Sequence, residues 1–436
     1  METTEAYLRR KDEELRLIAA CLAEPPAVPA PRSVDEAVEA KFRLAAALKG
    51  ERARADWAMT ETSWRGAGDW RVGQFDLSYE YQRADLIIRG PVLYEAFAAD
   101  PRRIAATILT GSGMAAVAGL VMALGRLADG VDVLAPAGAY AETLELIEKY
   151  GRGWRLHRLG PRAPSAAPRR PRERLRVLLI DSAVPTGMFD AAAVARAGPF
   201  DLLAFDATCL SLGSGRVRRV LRWAERTEIP AVLLRSHAKL DSLGIEYGRL
   251  GSAVIVGPGC HDTPATASWL GRLGDEMRAA VRLLGGAPVP AHLPPFLGSA
   301  GHRSLSATRM AAIMRNGRRM LRVWRAAGVP ILAFQHGLYA AVCPFEAWEI
   351  EAAKDNARAM ATELAGAGLP VRHAGSFGFD FVAVDGFPQP GGGRGLVRIA
   401  FADLPPPLAD EIAERIAAWW LTRVGANPDR RARAAA

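Results

Sequence analysis

Between residues 104 and 256, short apolar runs alternate with segments of helical periodicity, and this alternation constrains the fold more than any other feature of the chain. Segments 104–109, 131–135, 154–159, 175–180, 202–205, 231–234 and 252–256 read as strands, and 114–127, 141–150, 191–197 and 216–226 read as the helices between them. A helix between two strands is long enough to carry the chain back to a parallel start. Parallel sheets are buried on both faces, and most of these runs are accordingly apolar. The expected architecture is α/β, a mostly parallel central sheet sandwiched by helices. In such sheets ligands sit at the carboxyl ends of the strands.

The flanks read differently. Segment 1–24 has the pattern of an amphipathic helix that stops at Pro25, Pro26, Pro29 and Pro31, and a second helix covers 33–55 with Ser33 as its N-cap. Trp57, Trp64 and Trp70 follow in an irregular, glycine-containing stretch, so 1–75 is expected to be an N-terminal helical arm. The large domain is expected over 76–285, ending in a helix at 265–284 before the stretch GGAPVPAHLPPFLG. The remainder, 286–436, reads as a small α+β C-terminal domain. Its helices fall at 306–326, 345–365 and 408–423, and its strands at 331–334, 379–384 and 396–401.

Composition narrows the class of function. Of the 436 residues 50% are hydrophobic and 24% charged, which excludes a largely disordered chain. The net charge of +9 favours anionic partners, but arginine greatly outnumbers lysine, so coding bias accounts for part of it, and no nucleic-acid partner is expected. Cys21, Cys209, Cys260 and Cys343 are far apart and the seven histidines are scattered, so no metal site and a reduced, cytoplasmic protein are expected. The polar start METTEAYLRRKDEEL has no apolar leader segment. Segment 104–125 is uncharged and long enough to span a bilayer. Thr107, Thr110, Gly111, Ser112 and Gly113 interrupt it, so it reads as strand, turn and helix, with no membrane partner.

Three weak signals then fall at strand ends. The first is Thr110-Gly-Ser-Gly-Met-Ala-Ala116, where glycines allow backbone to approach an anion at a helix start, although a plain turn has the same look. The second is Asp206, closing an apolar strand, which is also where a capping residue would stand. The third is Ser236-His-Ala-Lys239, again at a strand end, where a lysine can be desolvated and nucleophilic or simply solvated. A phosphate turn, then an acid, then a lysine in that order describe a pyridoxal 5′-phosphate site: lysine for the Schiff base, acid on the pyridinium nitrogen, and a cup for the phosphate. A nicotinamide-binding Rossmann enzyme is the competing use of 110–116. It needs an acid about 20 residues on at a strand end, and Asp132 begins its strand instead.

From about Tyr81 to Phe401 the chain resembles the cystathionine synthase and lyase (Cys/Met metabolism) branch of fold-type I pyridoxal phosphate enzymes. Ser112-Gly-Met-Ala-Ala116 is similar to that branch's SGMAA turn, which implies phosphate contacts from Ser112, Gly113 and Met114. Tyr140-Ala-Glu-Thr143 resembles YGGT and implies that Tyr140 stacks on the cofactor ring. Asp206-Ala-Thr208 resembles DNT, making Asp206 the ring-nitrogen partner with Thr208 beside the cofactor. Ser236-His-Ala-Lys239 resembles SATK, with Ser236 on phosphate and Lys239 as the Schiff-base lysine. Tyr81-Gln-Arg83 resembles the YxR that reaches phosphate from a neighbouring subunit, implying a homodimer as the minimum. Ser376-Phe-Gly378 and Val397-Arg-Ile399 resemble the late SLG and VRLS segments, which implies that Arg398, with Ser376, holds the substrate carboxylate.

The resemblance implies the fold-type I transferase fold and an enzyme that works on an amino acid through an external aldimine. The expected reaction is β- or γ-elimination or γ-replacement, with a sulfonium substrate such as S-adenosylmethionine among the options. An aminotransferase on the same fold is the alternative. The chain departs from the branch at Val184 (an asparagine there), at Ala238 (a threonine), after Lys239, and in an added helix at 216–226 that lengthens the interval from Asp206 to Lys239.

Overall fold

The computed structural model describes residues 2–60, 68–79, 87–91, 103–136, 138–159, 174–185, 198–258, 264–344, 348–389 and 393–423. In chain order the elements are α1 (Thr4–Ala19), α2 (Val34–Thr60), β1 (Gly68–Val72), β2 (Phe75–Tyr79), β3 (Ile87–Arg89), β4 (Ile104–Thr110), α3 (Gly113–Leu127), β5 (Val131–Pro136), α4 (Ala141–Tyr150), β6 (Trp154–Leu159), β7 (Leu175–Asp181) and β8 (Leu202–Asp206). They continue with α5 (Gly215–Arg226), β9 (Ala231–Ser236), β10 (Gly251–Val256), α6 (Pro264–Leu283), α7 (Ala300–Ala327), β11 (Ile331–Ala333), β12 (Tyr339–Val342), α8 (Ile350–Gly366), β13 (Val371–His373), β14 (Val382–Pro388), β15 (Gly395–Ala400) and α9 (Pro406–Arg423). The helix expected at 191–197 lies outside the described residues. The chain forms two compact units: one holds 49–242 and 247–300, the other 1–48, 243–246 and 301–436.

The larger unit is built on a seven-stranded sheet of order β4-β10-β9-β8-β7-β5-β6. All neighbours are parallel except β10, which is antiparallel to both β9 and β4. The connection explains the exception. Only a three-residue turn, Leu240–Ser242, breaks the link from β9 to β10, so no crossover returns the chain to a parallel start. Alternation along β8 shows both faces buried: Leu202 and Ala204 pack with Val117, Leu120 and Met277 from α3 and α6, while Leu203 and Phe205 pack with Val217, Val220 and Leu221 of α5. A three-stranded antiparallel sheet, β1-β2-β3, was not expected from the stretch around Trp70. Its first hairpin turns on Gly73, at φ 58° between the paired Val72 and Phe75, and a single glycine hid a two-residue turn.

The other unit has a five-stranded sheet of order β11-β12-β15-β14-β13, antiparallel apart from the β13–β14 pair. The short strands β12 and β13 were not expected either. Helix α8 lies directly on this sheet at Gly386, where a Cβ would run into the backbone of Ala353 and Lys354. Helices α1 and α2 add a buried ionic cluster. Arg10, Lys11, Lys41 and Arg309 face Glu14, Asp380 and Asp403, all nearly inaccessible to water. Lys11 Nζ lies 2.7 Å from both Asp380 and Asp403, Lys41 pairs with Glu14 and with Asp380 at 2.6 Å, and Arg309 pairs with Asp380. Each buried ion costs several kcal/mol of desolvation, which only such mutual pairing offsets.

Among the described residues no helix is long and apolar enough to cross a membrane. Among the described residues Cys21, Cys209 and Cys343 form no disulfide, and Cys260 lies outside the described residues.

Candidate active site

The site is built at the carboxyl end of the large sheet. Strand β4 ends at Thr110, and the chain turns through Gly111 and Ser112 into α3. Ser112 is the N-cap: its Oγ accepts from Ala115 N at 3.0 Å and its carbonyl from Ala116 N at 3.2 Å. Thr110 Oγ1 donates to the same carbonyl at 2.8 Å. The amides of Gly113 and Met114 have no carbonyl within the helix and stand at its positive end. A Cβ on Gly113 would lie 2.9 Å from Ser236 Cβ, so only glycine lets this turn close on the end of β9. Gly251 does the same between them, since it pairs with both Thr110 and Ser236 and a Cβ there would strike the Ser112 carbonyl.

The acid loop joins the same place. Asp206 ends β8, and its Oδ1 accepts from Thr208 N at 2.8 Å. Thr208 Oγ1 in turn accepts from Ser236 N at 3.0 Å, which ties the loop after β8 to the end of β9. Burial raises the Asp206 carboxyl above its ordinary range, and the bonds from Thr208 and the field of Arg235 hold it back.

Beside Asp206, in parallel register, stands Asp181 at the end of β7. It is 1% exposed, and its oxygens accept from Tyr140 N at 2.6 Å and from Ala183 N at 2.7 Å. Burial first, and the neighbouring Asp206 second, push its carboxyl up to about 7. Sequence reasoning passed over Asp181, although it closes an apolar run just as Asp206 does. Tyr140 occupies the N-cap position of α4 with its side chain exposed. Thr143, in the first turn of α4, reaches Met114 Sδ at 3.9 Å.

Lys239 is half-buried and follows β9 by three residues. Arg235, His237, Asp241 and Ser252 surround its turn and are all buried. Thus Gly113, Met114, Ser236, Thr208 and Asp206 meet as one contact chain, with Lys239 next to it along the backbone. Ser112 takes part as a helix cap.

Arg398 and Ser376 belong to the other compact unit. Arg398 is buried on β15, with its guanidinium 4.4 Å from the ring centre of Phe387 and 5.4 Å from that of Tyr339. Ser376 is buried in the link from β13 to β14. Tyr81 and Arg83 lie outside the described residues, as do the side chains of Trp57 and Trp64. Arg174 bonds Asp132 at 2.9 Å and the carbonyls of Val131 and Gly153. Asp132 is therefore committed at the amino end of β5, away from the strand end where a ribose-binding acid would be needed.

No family model and no curated protein matches this chain. Solved structures do. A cystathionine gamma synthase from Xanthomonas oryzae pv. oryzae, in complex with aminoacrylate and cysteine, aligns at 16% identity with TM-score 0.50 over 76% of this chain and 85% of its own. The metB protein of Corynebacterium glutamicum aligns at 17% identity with TM-score 0.51 over 78% and 87%. A cystathionine gamma lyase from Micromonospora echinospora aligns at 17% identity with TM-score 0.51 over 78% and 89%. What the three share with this chain is the fold, and it is the fold that the motif resemblance implied.

Proposed function

We propose that this chain is a pyridoxal 5′-phosphate-dependent enzyme that acts on an amino acid by β- or γ-elimination or by γ-replacement. The observation that carries the reading is the closure of three strand ends on one spot: Gly113 against Ser236, and Ser236 against Thr208 beside Asp206. The residues fit the cofactor. The amides of Gly113 and Met114 and the Ser236 hydroxyl are donors for a phosphate dianion at a helix N-terminus. Asp206 is a carboxyl whose burial leaves it in want of a cationic partner, and a protonated ring nitrogen is one. Lys239 would be the amine, and Tyr140, at the start of α4, the aromatic ring.

When bound, the cofactor supplies an aldehyde that an amine can occupy and a ring that withdraws electrons from the substrate Cα. Lys239 would hold the cofactor and, once freed by the substrate amine, would take the proton from the substrate Cα and deliver a proton to the departing group, as a general acid–base held at short range. Asp206 keeps a proton on the ring nitrogen, which sustains that withdrawal. Tyr140 orients the ring and faces the departing group. Asp181 holds Tyr140 by its backbone N–H. Arg398 is assigned the substrate carboxylate, for which a planar fork is suited. The resemblance at Tyr81-Gln-Arg83 supports a homodimer as the smallest active unit. A substrate with a good γ leaving group, a sulfonium such as S-adenosylmethionine among them, fits elimination or replacement.

The test is a visible spectrum of the pure protein, followed by borohydride reduction and peptide mapping. A pyridoxyl group fixed on Lys239, with α-keto acid and γ fragment released from a substrate, supports the reading. A colourless protein that takes up no pyridoxal phosphate ends it, and stable pyridoxamine phosphate with a keto acid turns it to transamination.

A further inference from the structure

Around Lys239 the chain departs from the branch it resembles, and there the structure holds a closed hydrogen-bond network. Arg235, wholly buried, makes a two-point contact with Asp241, Nε to Oδ2 at 2.7 Å and Nη2 to Oδ1 at 2.8 Å. Its Nη1 donates to the carbonyls of Ala207 at 2.9 Å and Leu210 at 2.6 Å. His237 bridges Asp241 Oδ2 at 2.8 Å and Ser252 Oγ at 2.8 Å, and its amide donates to the Leu250 carbonyl at 2.8 Å. Ser242 Oγ donates to the carbonyls of Ala238 at 2.9 Å and Lys239 at 3.1 Å.

Ser252, His237 and Asp241 have the composition of a hydrolytic triad. Ser252, however, has no exposed surface and lies inside β10, so no substrate reaches it. The network serves position. It ties both ends of the span 237–242, with Lys239 near its middle, and through Arg235 it ties that span to the segment 207–210 that follows Asp206. We infer that Arg235, Asp241 and His237 are positioning residues that fix the Lys239 amine relative to the Asp206 carboxyl by clamping the backbone on both sides of the site. This rests on the cofactor reading above. It assigns to this chain's own 235–241 segment the role of holding the lysine turn, where the branch's usual sequence after the lysine is missing.

The experiment compares wild type, Asp241→Asn, Asp241→Glu and His237→Gln, each loaded with pyridoxal phosphate and each free of it. In the free proteins, amide hydrogen exchange of 237–242 and of 207–210 is expected to quicken at least tenfold in Asp241→Asn while the rest of the sheet stays protected. In the loaded proteins, the pH midpoint of the visible band is expected to shift in Asp241→Asn and His237→Gln and to return toward wild type in Asp241→Glu. Should Asp241→Asn fail to fold, His237→Gln leaves the Arg235–Asp241 pair intact and carries the same comparison. Unchanged exchange overturns the clamp whether or not cofactor binds. Faster exchange with an unmoved pH midpoint reduces the network to plain stability and overturns the positioning role. A wild type that leaves Lys239 unreduced by borohydride fails at a different point: it overturns the cofactor reading, and the positioning role with it.

Discussion

Asp181 and Asp206 stand side by side at the carboxyl ends of two neighbouring parallel strands, paired in register, with Asp181 out of water. Two carboxyls so placed resist being charged together: burial raises both, and Asp181 is pushed up to about 7 by burial and by Asp206.

That placement gives stability a pH dependence. An acid whose folded pKa is raised binds more proton in the folded state than in the unfolded one. Its contribution to stability therefore falls as pH rises from the ordinary carboxyl value of 3.8 through about 7, and levels off above that. Asp181→Asn removes this loss. In urea unfolding of the cofactor-free protein at pH 5 and pH 8, the variant is expected to lose less stability between the two than wild type, by an amount on the order of 1–3 kcal/mol. Parallel pH profiles for the two proteins would sink the assignment.

Lys239→Ala is expected to leave the fold intact, because the side chain is only half-buried. Borohydride fixation of pyridoxal phosphate should vanish, and turnover should fall by roughly a thousandfold or more, given the size of general acid–base effects and the loss of the attachment point. Full turnover in this variant contradicts the mechanism.

Gly113→Ala places a methyl group 2.9 Å from Ser236 Cβ, in the turn proposed to hold phosphate. Relief of that contact costs about 1–3 kcal/mol, as overpacking usually does. The measurement is pyridoxal phosphate affinity by spectral titration beside thermal unfolding. Weaker binding with a modest fall in Tm is expected, and wild-type affinity would remove this turn from the cofactor site.

Asp380 receives Lys11, Lys41 and Arg309 at once. Asp380→Ala leaves buried cations short of a partner and should cost about 3–5 kcal/mol in denaturant unfolding, with little relief from added salt because the cluster is dry. A loss below about 1 kcal/mol would mean that the cluster admits water.

Arg398→Ala should weaken amino-acid binding more than it slows the bound complex. The substrate concentration at half the spectral change is expected to rise roughly ten- to a hundredfold, the size of a charge-assisted pair. An unchanged titration would remove Arg398 from substrate recognition.

Much of the large sheet is legible in the sequence because buried parallel strands are unbroken apolar runs. The runs ending near Phe205 and Leu234 map onto β8 and β9 within two residues. Asp206 and Ser236 stand out because they interrupt such runs. Other features left no such mark. Strands β12 and β13 have four and three residues, too few for a period to register. The buried cluster of Lys11, Glu14 and Lys41 reads as an ordinary wet helix face, since nothing local distinguishes a charge whose partners come from Arg309, Asp380 and Asp403. Asp181 closes its apolar run by the same rule that marks Asp206. The clamp at Arg235 and Asp241 could not be read, because its carbonyl partners at Ala207 and Leu210 come from a different strand end.

The reversed strand β10 carries one more implication, for the order of assembly. Thr110 and Ser236 are not neighbours in the sheet; Gly251 sits between them and pairs with both. During synthesis the turn after β4 emerges early, but its place in the sheet is made only when Gly251 has emerged to pair with both Thr110 and Ser236. On the reading proposed above, cofactor capture would therefore be a late event, after β10 has joined the sheet.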